Sequence, residues 1–415
     1  MKQTGFRQLA VAGVAAAALF GSAACGGGFD DNKGSSQQQS GKASLQILIG
    51  SSGAAETKAV QDAAAKWASD SGNTATVTPA QDLTQQLGQA LAGGTPPDVF
   101  YVDAGRFADY ASVGALEPYG DKISNANDFY DSLRKTFTYD GKFYCAPKDF
   151  STLALEINTE LWAKAGLTDA DVPTTWDQLT TVSQKLKAAG VTPMALGDTR
   201  DRVGAFMKGA GGWILSADGK QATADSPENL QALQYVKTLL TDKLVQFPKQ
   251  LDSGWAGEAF GKGKAAMTIE GNWIKGAMQT DYPNVKYTVH PLPAGPKAQA
   301  TLSFTNCWGI AAKSKYKDQA IKFVEAMTAG EQQMSFAKAF GVMPSRQSVK
   351  DQYTAAFPAD KPFIDGAAYA QGPVNAPKMD SVLADLDTGI QGLAAGDPKA
   401  LLARVQKNTE AALKG

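Results

Sequence analysis

Residues 141–158, GKFYCAPKDFSTLALEIN, decide the fold because they have the pattern of a strand that carries the chain from one lobe to another. We call this stretch the crossover strand. An Asp-Gly pair at residues 140–141 predicts a turn in front of it, and Pro147 breaks it without a surrounding helical period. Residues 153–157 return to the apolar side chains of a buried strand, whereas residues 148–152 are polar enough to meet a ligand. The alternative is a half-exposed edge strand without a function.

Chain length and charge limit the classes of function. A chain of 415 residues suggests two or three domains, at roughly 150 residues each. Lys and Arg number 40 against 41 Asp and Glu, which gives a formal net charge of −1. Nucleic acid is therefore a poor partner, because its binding needs a strong positive field. Hydrophobic residues at 43% and charged residues at 20% are typical of a soluble globular protein.

Strand and helix patterns alternate along the first part of the chain. A β-type run at residues 45–49 is followed by a glycine loop at 50–53 and by apolar residues at helical spacing. Further strand patterns at 74–78 and 98–102 continue the alternation, which predicts a mostly parallel sheet with helices on its faces. Ligands meet such sheets at the carboxyl ends of the strands. The residues at these ends are Ser51, Ser52, Asp103 and Arg106.

Catalysis has few residues to use. The one histidine, His290, stands in an apolar strand pattern beside Pro291, where a structural role is expected, so serine–histidine and cysteine–histidine mechanisms are not expected. The sequence has no HExxH, C-x-x-C, EF-hand or Walker A motif, so no metal and no cofactor is expected. A pair of carboxylates could still hydrolyse a glycosidic bond, which leaves an extracellular glycosidase open.

Several tryptophans stand beside glycine or polar residues. Sugars expose C–H patches that stack on indole rings, and their hydroxyls need fixed polar partners, so such residues would suit a carbohydrate cleft. A single tryptophan is nevertheless more often part of a core. Trp273 is the strongest candidate because it follows a strand end and stands beside Glu270 and Asn272. The other candidates are Trp213, Trp255 and Trp308.

The N-terminal sequence predicts that the protein is exported from the cytoplasm. Basic residues precede an apolar run at residues 9–20, which is shorter than the roughly 20 residues of a membrane span. The sequence SAAC resembles a bacterial lipobox, in which Cys25 is acylated after residues 1–24 are removed as a signal peptide. Ser22 stands where that motif usually has Leu, so simple secretion is the alternative. Residues 25–43 are expected to form a flexible tether. We therefore expect a lipid-anchored protein on the extracellular face of the cytoplasmic membrane.

Two cysteines remain if Cys25 is acylated. They are Cys145 and Cys307. Two thiols outside the cytoplasm usually form a disulfide, and the alternative is that both stay free and buried.

Four segments in order resemble the extracellular solute-binding proteins of ABC importers, in the sugar-binding group of maltose-binding protein. They are PPDVFYVDAGRFADYASVGALEPY (96–119), the crossover strand, GKAAMTIEGNWI (263–274) and CWGIAAKSKYKDQAIKFVEAMT (307–328). Together they span most of the chain after the leader.

The resemblance implies an α/β fold of two lobes, the type II periplasmic-binding-protein-like fold, with a hinge of crossover strands. Lobe 1 would comprise residues 44–149 and 307–345, and lobe 2 residues 150–306 and 346–415. The implied function is that of the substrate-binding lipoprotein of an ABC sugar importer, which captures a sugar or oligosaccharide and delivers it to a permease in the cytoplasmic membrane. Such a protein is not an enzyme and is expected to be a monomer. A binding protein of the same fold for a non-sugar solute is an alternative.

The resemblance also implies a ligand site. Carried over residue by residue, with Asn272 and Trp308 added from the tryptophan loops, the predicted ligand contacts are Ser51, Ser52, Asp103, Arg106, Asp149, Ser151, Thr152, Trp213, Trp255, Glu270, Asn272, Trp273 and Trp308. Val102 stands where the relatives have an aromatic residue, so this chain departs from the relatives at a position that bears on sugar stacking. Cys145 and Cys307 fall in hinge strands that run side by side in the relatives, which favours the disulfide.

Overall fold

The structure is a computed structural model that describes residues 42–414. The predicted signal peptide, the predicted acylation site Cys25 and the predicted tether up to residue 41 lie outside the described residues.

Strands and helices alternate through the described chain. The strands are β1 (Ser44–Ile49), β2 (Thr74–Pro79), β3 (Val99–Asp103), β4 (Thr138–Tyr139), β5 (Lys142–Phe143), β6 (Ala146–Pro147), β7 (Ser151–Asn158), β8 (Met194–Ala195), β9 (Val245–Gln246), β10 (Met267–Gly271), β11 (Tyr287–His290), β12 (Thr301–Phe304), β13 (Asn306–Ile310) and β14 (Ala370–Gln371). The α-helices are α1 (Ala54–Ser71), α2 (Leu83–Ala92), α3 (Phe107–Ser112), α4 (Asp131–Thr136), α5 (Thr159–Lys164), α6 (Trp176–Ala188), α7 (Arg200–Gly209), α8 (Pro227–Thr241), α9 (Ala256–Gly261), α10 (Ile274–Thr280), α11 (Lys317–Met327), α12 (Gly330–Phe340), α13 (Lys350–Ala356), α14 (Lys361–Gly366), α15 (Asp380–Gln391) and α16 (Pro398–Lys414).

The first lobe is built around a sheet with the strand order β2-β1-β3-β13-β6. β1 pairs in parallel with β2 and β3, as the alternating pattern predicts, and β13 adds an antiparallel strand beside β3. Helix α1 covers this sheet because its apolar residues recur at helical spacing and bury one face, which includes Val60, Ala64 and Trp67. The Trp67 ring meets Phe323 edge-on at a centroid distance of 5.3 Å, which joins α1 to α11.

The second lobe is built around a sheet with the order β14-β12-β7-β10-β8-β9, in which β11 also pairs with β7. All residues of β7 are buried because the strand has partners on both sides and packed layers on both faces. Leu153, Leu155 and Ile157 alternate onto one face and pack in the main core of this lobe. The intervening residue Ala154 packs in a separate core cluster with Phe150 and Phe363.

The crossover strand connects the two sheets, as the sequence predicts. Asp140 and Gly141 have φ angles of 47° and 72°, so both residues of the predicted Asp-Gly turn are left-handed, and they join β4 to β5. The stretch then forms two strands of two residues each, β5 and β6, and the eight-residue strand β7 instead of one strand. β6 belongs to the first sheet and β7 to the second, so the chain passes between the lobes at residues 148–150. It passes back at Thr305, between β12 and β13. The exact lobe boundaries given above stay predictions.

Cys145 and Cys307 form the predicted disulfide, with their Cα atoms 5.7 Å apart. Cys145 directly precedes β6, and Cys307 lies in β13, which pairs with β6 in the first sheet. The bond therefore ties the two crossing segments together on the first-lobe side.

A membrane-spanning helix is absent from residues 42–414, since none of their helices is both long and apolar enough to cross a bilayer.

Candidate functional site

A cleft of about 460 Å³ lies where the chain crosses between the two sheets. Its walls come from both lobes: Asp103 is the last residue of β3 in the first sheet, and Asn272 and Trp273 follow β10 in the second. The crossing segments at residues 148–151 and 303–306 also line it. The carboxyl ends of strands from two sheets therefore meet at one site, which is where ligands bind to α/β sheets.

A buried ionic cluster forms part of the cleft wall on the first-lobe side. Lys148 Nζ lies 2.9 Å from Glu56 Oε1 and also pairs with the Asp149 carboxylate. The Tyr101 hydroxyl donates to Glu56 Oε1 at 3.2 Å, and the backbone N–H of Ser52 donates to Glu56 Oε2 at 2.8 Å. We call Lys148, Glu56 and Asp149 the lysine cluster.

Electrostatics keeps the lysine and the glutamate of this cluster charged. Burial acts to lower the pKa of Lys148, but the Asp149 and Glu56 carboxylates outweigh burial and the pKa is raised. Burial acts to raise the pKa of Glu56, but Lys148 and the Ser52 hydrogen bonds outweigh it and the pKa is lowered. The Lys148 ammonium is thus committed to two carboxylates of the protein.

The second lobe supplies an aromatic wall centred on Trp273, of which 38% is exposed. Its indole N–H donates to Glu270 Oε2 at 2.9 Å, and Arg202 Nη2 donates to the same oxygen at 2.5 Å. The guanidinium of Arg202 lies 5.1 Å from the Trp273 ring centre, and Phe304 meets the ring edge-on at 5.2 Å. The ring folds over Gly271, where a Cβ would come within 2.2 Å of it. The orientation of the indole is therefore fixed from several sides.

Part of the predicted site comes together in this cleft. The predicted residues that line it are Ser52, Asp103, Asp149, Ser151, Trp213, Asn272 and Trp273. Their contact with a ligand stays a prediction. Asn272 and Ser151 also support each other, because the Asn272 backbone N–H donates to Ser151 Oγ at 3.2 Å.

The structure corrects the placement of two predicted residues that are fully buried. Trp308 lies in β13, inside the first-lobe core, with Tyr101 edge-on at 4.7 Å and Phe323 at 5.7 Å. Thr152 donates to the carbonyl oxygen of Phe363 at 2.5 Å and is likewise inaccessible, since alternation along β7 points it away from the cleft.

Glu270 lies behind the cleft wall. It holds Trp273 and Arg202, as described above, and is 1% exposed. Glu270 is therefore a positioning residue, because it orients the Trp273 ring that lines the cleft.

The remaining predicted residues lie beside the cleft and not in its lining. Ser51 Oγ donates to the carbonyl of Gly53 at 2.7 Å, inside the loop that precedes α1. Trp255 packs at a separate small core. Arg106 forms an ion pair with Asp380, which belongs to α15 in the second lobe. Arg106 therefore connects the two lobes outside the cleft lining.

Sequence reasoning missed several lining residues, among them Glu56, Arg200, Asp201 and Ser303. Arg200 and Asp201 begin α7, shortly after the short strand β8. The rule that ligands meet the carboxyl ends of strands could have found them, but a strand of two residues leaves too little periodicity to identify.

The model of the family described as bacterial extracellular solute-binding protein matches residues 50–334. The chain belongs to this family. Its members are binding proteins, which confirms the prediction that the protein is not an enzyme and removes the glycosidase alternative.

Curated relatives are distant. The diacetylchitobiose binding protein DasA of Streptomyces coelicolor is 28% identical over 282 residues, which are 65% of this chain and 65% of that protein. The match therefore spans just under two thirds of that relative's length. The maltotriose-binding protein of Pyrococcus abyssi is 23% identical over 256 residues, 60% of this chain and 54% of the relative. An ABC transporter extracellular-binding protein of Pyrococcus horikoshii is 28% identical over 298 residues, 68% and 65% of the two chains.

Solved structures confirm the two-lobe fold. The GacH receptor of Streptomyces glaucescens superposes with a TM-score of 0.76 at 24% identity and covers 90% of this chain and 99% of its own. The cyclic alpha-maltosyl-1,6-maltose binding protein of Arthrobacter globiformis gives a TM-score of 0.79 at 22% identity, with 90% and 100% covered. At these identities the likeness supports the fold and leaves the ligand open.

Proposed function

We propose that this protein is the sugar-binding component of an ABC importer, which captures a sugar or oligosaccharide between its lobes and delivers it to a membrane permease. The observation that carries the proposal is one cleft that combines the exposed face of Trp273 and the half-buried Trp213 with polar groups from both lobes. Indole faces suit the C–H patches of a sugar ring, and fixed polar groups suit its hydroxyls.

Support also comes from the relatives, whose names describe binding of diacetylchitobiose and maltotriose. A ligand that touches both lobes stabilises the arrangement in which they are close, so binding and lobe closure would be coupled. We extend the proposal to the N-terminus: acylation at Cys25 would hold the protein at the extracellular face of the membrane, within reach of the permease.

A thermal-shift panel tests the ligand class. Purified mature protein is heated with mono- and oligosaccharides, amino acids, polyamines and phosphates, since a ligand bound only by the native state raises the melting temperature. At a hundredfold excess over its dissociation constant, a bound sugar would stabilise the protein by about 2.7 kcal/mol. A response to non-sugar solutes alone would refute the sugar proposal and favour the alternative.

Variants locate the binding site. Trp273→Ala should weaken sugar binding measured by calorimetry, because it removes the exposed ring from the cleft. Trp255→Phe is the matched control, since Trp255 lies outside the cleft lining. An affinity of Trp273→Ala equal to that of the wild-type protein would show that the sugar binds elsewhere.

A further inference from the structure

Two carboxylates from opposite lobes line the same cleft. Asp103 ends β3 of the first sheet, and Asp201 is the second residue of α7 in the second lobe. Asp103 Oδ1 accepts the backbone N–H of Gly105 at 2.8 Å, and its other oxygen has no hydrogen-bond partner within residues 42–414. Asp103 is exposed to the cleft, and desolvation by the surrounding protein raises the pKa of its carboxyl; the nearby Asp201 carboxylate acts in the same direction, whereas Arg106 and Arg200 oppose the rise.

The cations of the cleft are already occupied by protein carboxylates. Lys148 belongs to the lysine cluster, and Arg200 pairs with Asp387, which also accepts the Arg200 backbone N–H at 2.8 Å. The Arg200 Nε atom reaches Asp201 only at 3.8 Å. The charged residues of the lining are the carboxylates of Glu56, Asp103, Asp149 and Asp201 and the cations of Lys148 and Arg200. The described lining thus has more carboxylates than cations, and each of its two cations is already paired with a carboxylate of the protein.

A buried hydroxyl gives a second and independent sign of a ligand. Ser303 lines the cleft, is 3% exposed, and its Oγ has no hydrogen-bond partner among the described residues. A buried polar atom without a partner is costly, and a serine hydroxyl can both donate and accept. A hydroxyl or N–H of a bound molecule would satisfy it.

We propose that the ligand is a saccharide that presents hydrogen-bond donors, whether hydroxyl, amide N–H or protonated amine, to Asp103 and Asp201 together, and that saccharides bearing an acid group are rejected. This inference rests on the proposed function and deepens it by naming the class of sugar. Asp103 and Asp201 become specificity-determining residues, one in each lobe. An acidic group in the cleft would meet like charges, whereas donors placed between the lobes relieve the repulsion of the two carboxylates.

The test compares saccharides that share a skeleton. The probes are β-1,4-linked tetrasaccharides of glucose, N-acetylglucosamine, glucosamine and glucuronic acid, together with maltotetraose and its form oxidised at C6 to carboxylates. Calorimetric dissociation constants are measured at neutral pH and low salt. We expect each acidic member to bind at least tenfold more weakly than its uncharged counterpart. An acidic member that binds as tightly as its counterpart would overturn the inference while the sugar-binding function stands.

Variants separate a charge effect from a structural one. Asp103→Asn and Asp201→Asn keep the shape of the side chain and should each weaken the uncharged probe about tenfold, since the acceptor of the hydrogen bond loses its charge. The double variant should also bring the dissociation constants of the acidic probes closer to those of their uncharged counterparts. A merely structural role of the two residues would not change this ratio. Asp121→Asn and Asp281→Asn, at exposed positions outside the cleft, are the controls.

The outcomes distinguish the inference from the proposed function. If no saccharide raises the melting temperature of the wild-type protein, both fail. If uncharged saccharides bind and the double variant leaves the ratio of acidic to uncharged affinity unchanged, only the inference fails. Melting curves of the free variants show whether they are folded.

Discussion

Removal of the disulfide should cost a large part of the folding free energy. Cys145 and Cys307 are fully buried and are separated by 162 residues in sequence. In the chain-entropy model, a cross-link that closes a loop of this length destabilises the unfolded state by about 5 kcal/mol. A globular domain has a total stability of about 5–15 kcal/mol, so the bond is a substantial fraction of it.

The perturbation is the double variant Cys145→Ala/Cys307→Ala, compared with the oxidised wild-type protein. Unfolding in guanidinium chloride, followed by tryptophan fluorescence, should give a lower midpoint for the variant, with a loss of up to about 5 kcal/mol in the free energy of unfolding. The wild-type protein unfolded in the presence of a thiol reductant is the matched control and should resemble the variant.

Two results would refute this reasoning. The first is an unfolding midpoint that is the same with and without reductant. The second is the detection of both thiols in denatured, non-reduced protein. If the free energy of unfolding falls by well over about 5 kcal/mol, the excess would point to poor packing around the new alanines, because shortening buried side chains leaves cavities.

Three further perturbations have expected outcomes. Asp380→Asn removes the ion pair with Arg106 that joins the lobes. Exposed ion pairs contribute about 0.2–1 kcal/mol, so we expect up to about fivefold weaker ligand binding and a larger radius of gyration in scattering. An unchanged radius of gyration would contradict this. Gly271→Ala forces a methyl group into the ring of the cleft tryptophan and should weaken ligand binding in calorimetry, whereas Gly276→Ala, which has open space, should not. Lys148→Met leaves the buried Glu56 and Asp149 carboxylates without their cation. It should lower the free energy of unfolding, measured by chemical denaturation, by about 3–5 kcal/mol. A loss below about 1 kcal/mol would show that the carboxylates reach water.

The fold could be predicted from local patterns because local chemistry determines its main elements. The Asp-Gly turn needs two left-handed residues, and the alternation of strand and helix requires parallel pairing in the first sheet. The disulfide followed from the compartment and from the placement of two cysteines in neighbouring strands.

The site could be predicted only in part because burial depends on partners far along the chain. The polar residues beside Trp308 favour a ligand contact, yet Trp308 lies in β13, which has β3 on one side and β6 on the other. Arg106 was interpreted as a ligand contact, but its partner Asp380 follows 274 residues later. No pattern near either residue reveals these partners.

The cross-linked crossing segments also limit how the molecule can bend. Because the Cys145–Cys307 bond clamps them where they enter the first lobe, the bending of these two segments is confined to the few peptides at residues 148–150 and at Thr305. Lys148 and Asp149 stand on this short pivot and are also part of the cleft wall. A change of backbone angle at the pivot therefore moves charges of the cleft wall directly, without any relay through the interior of either lobe.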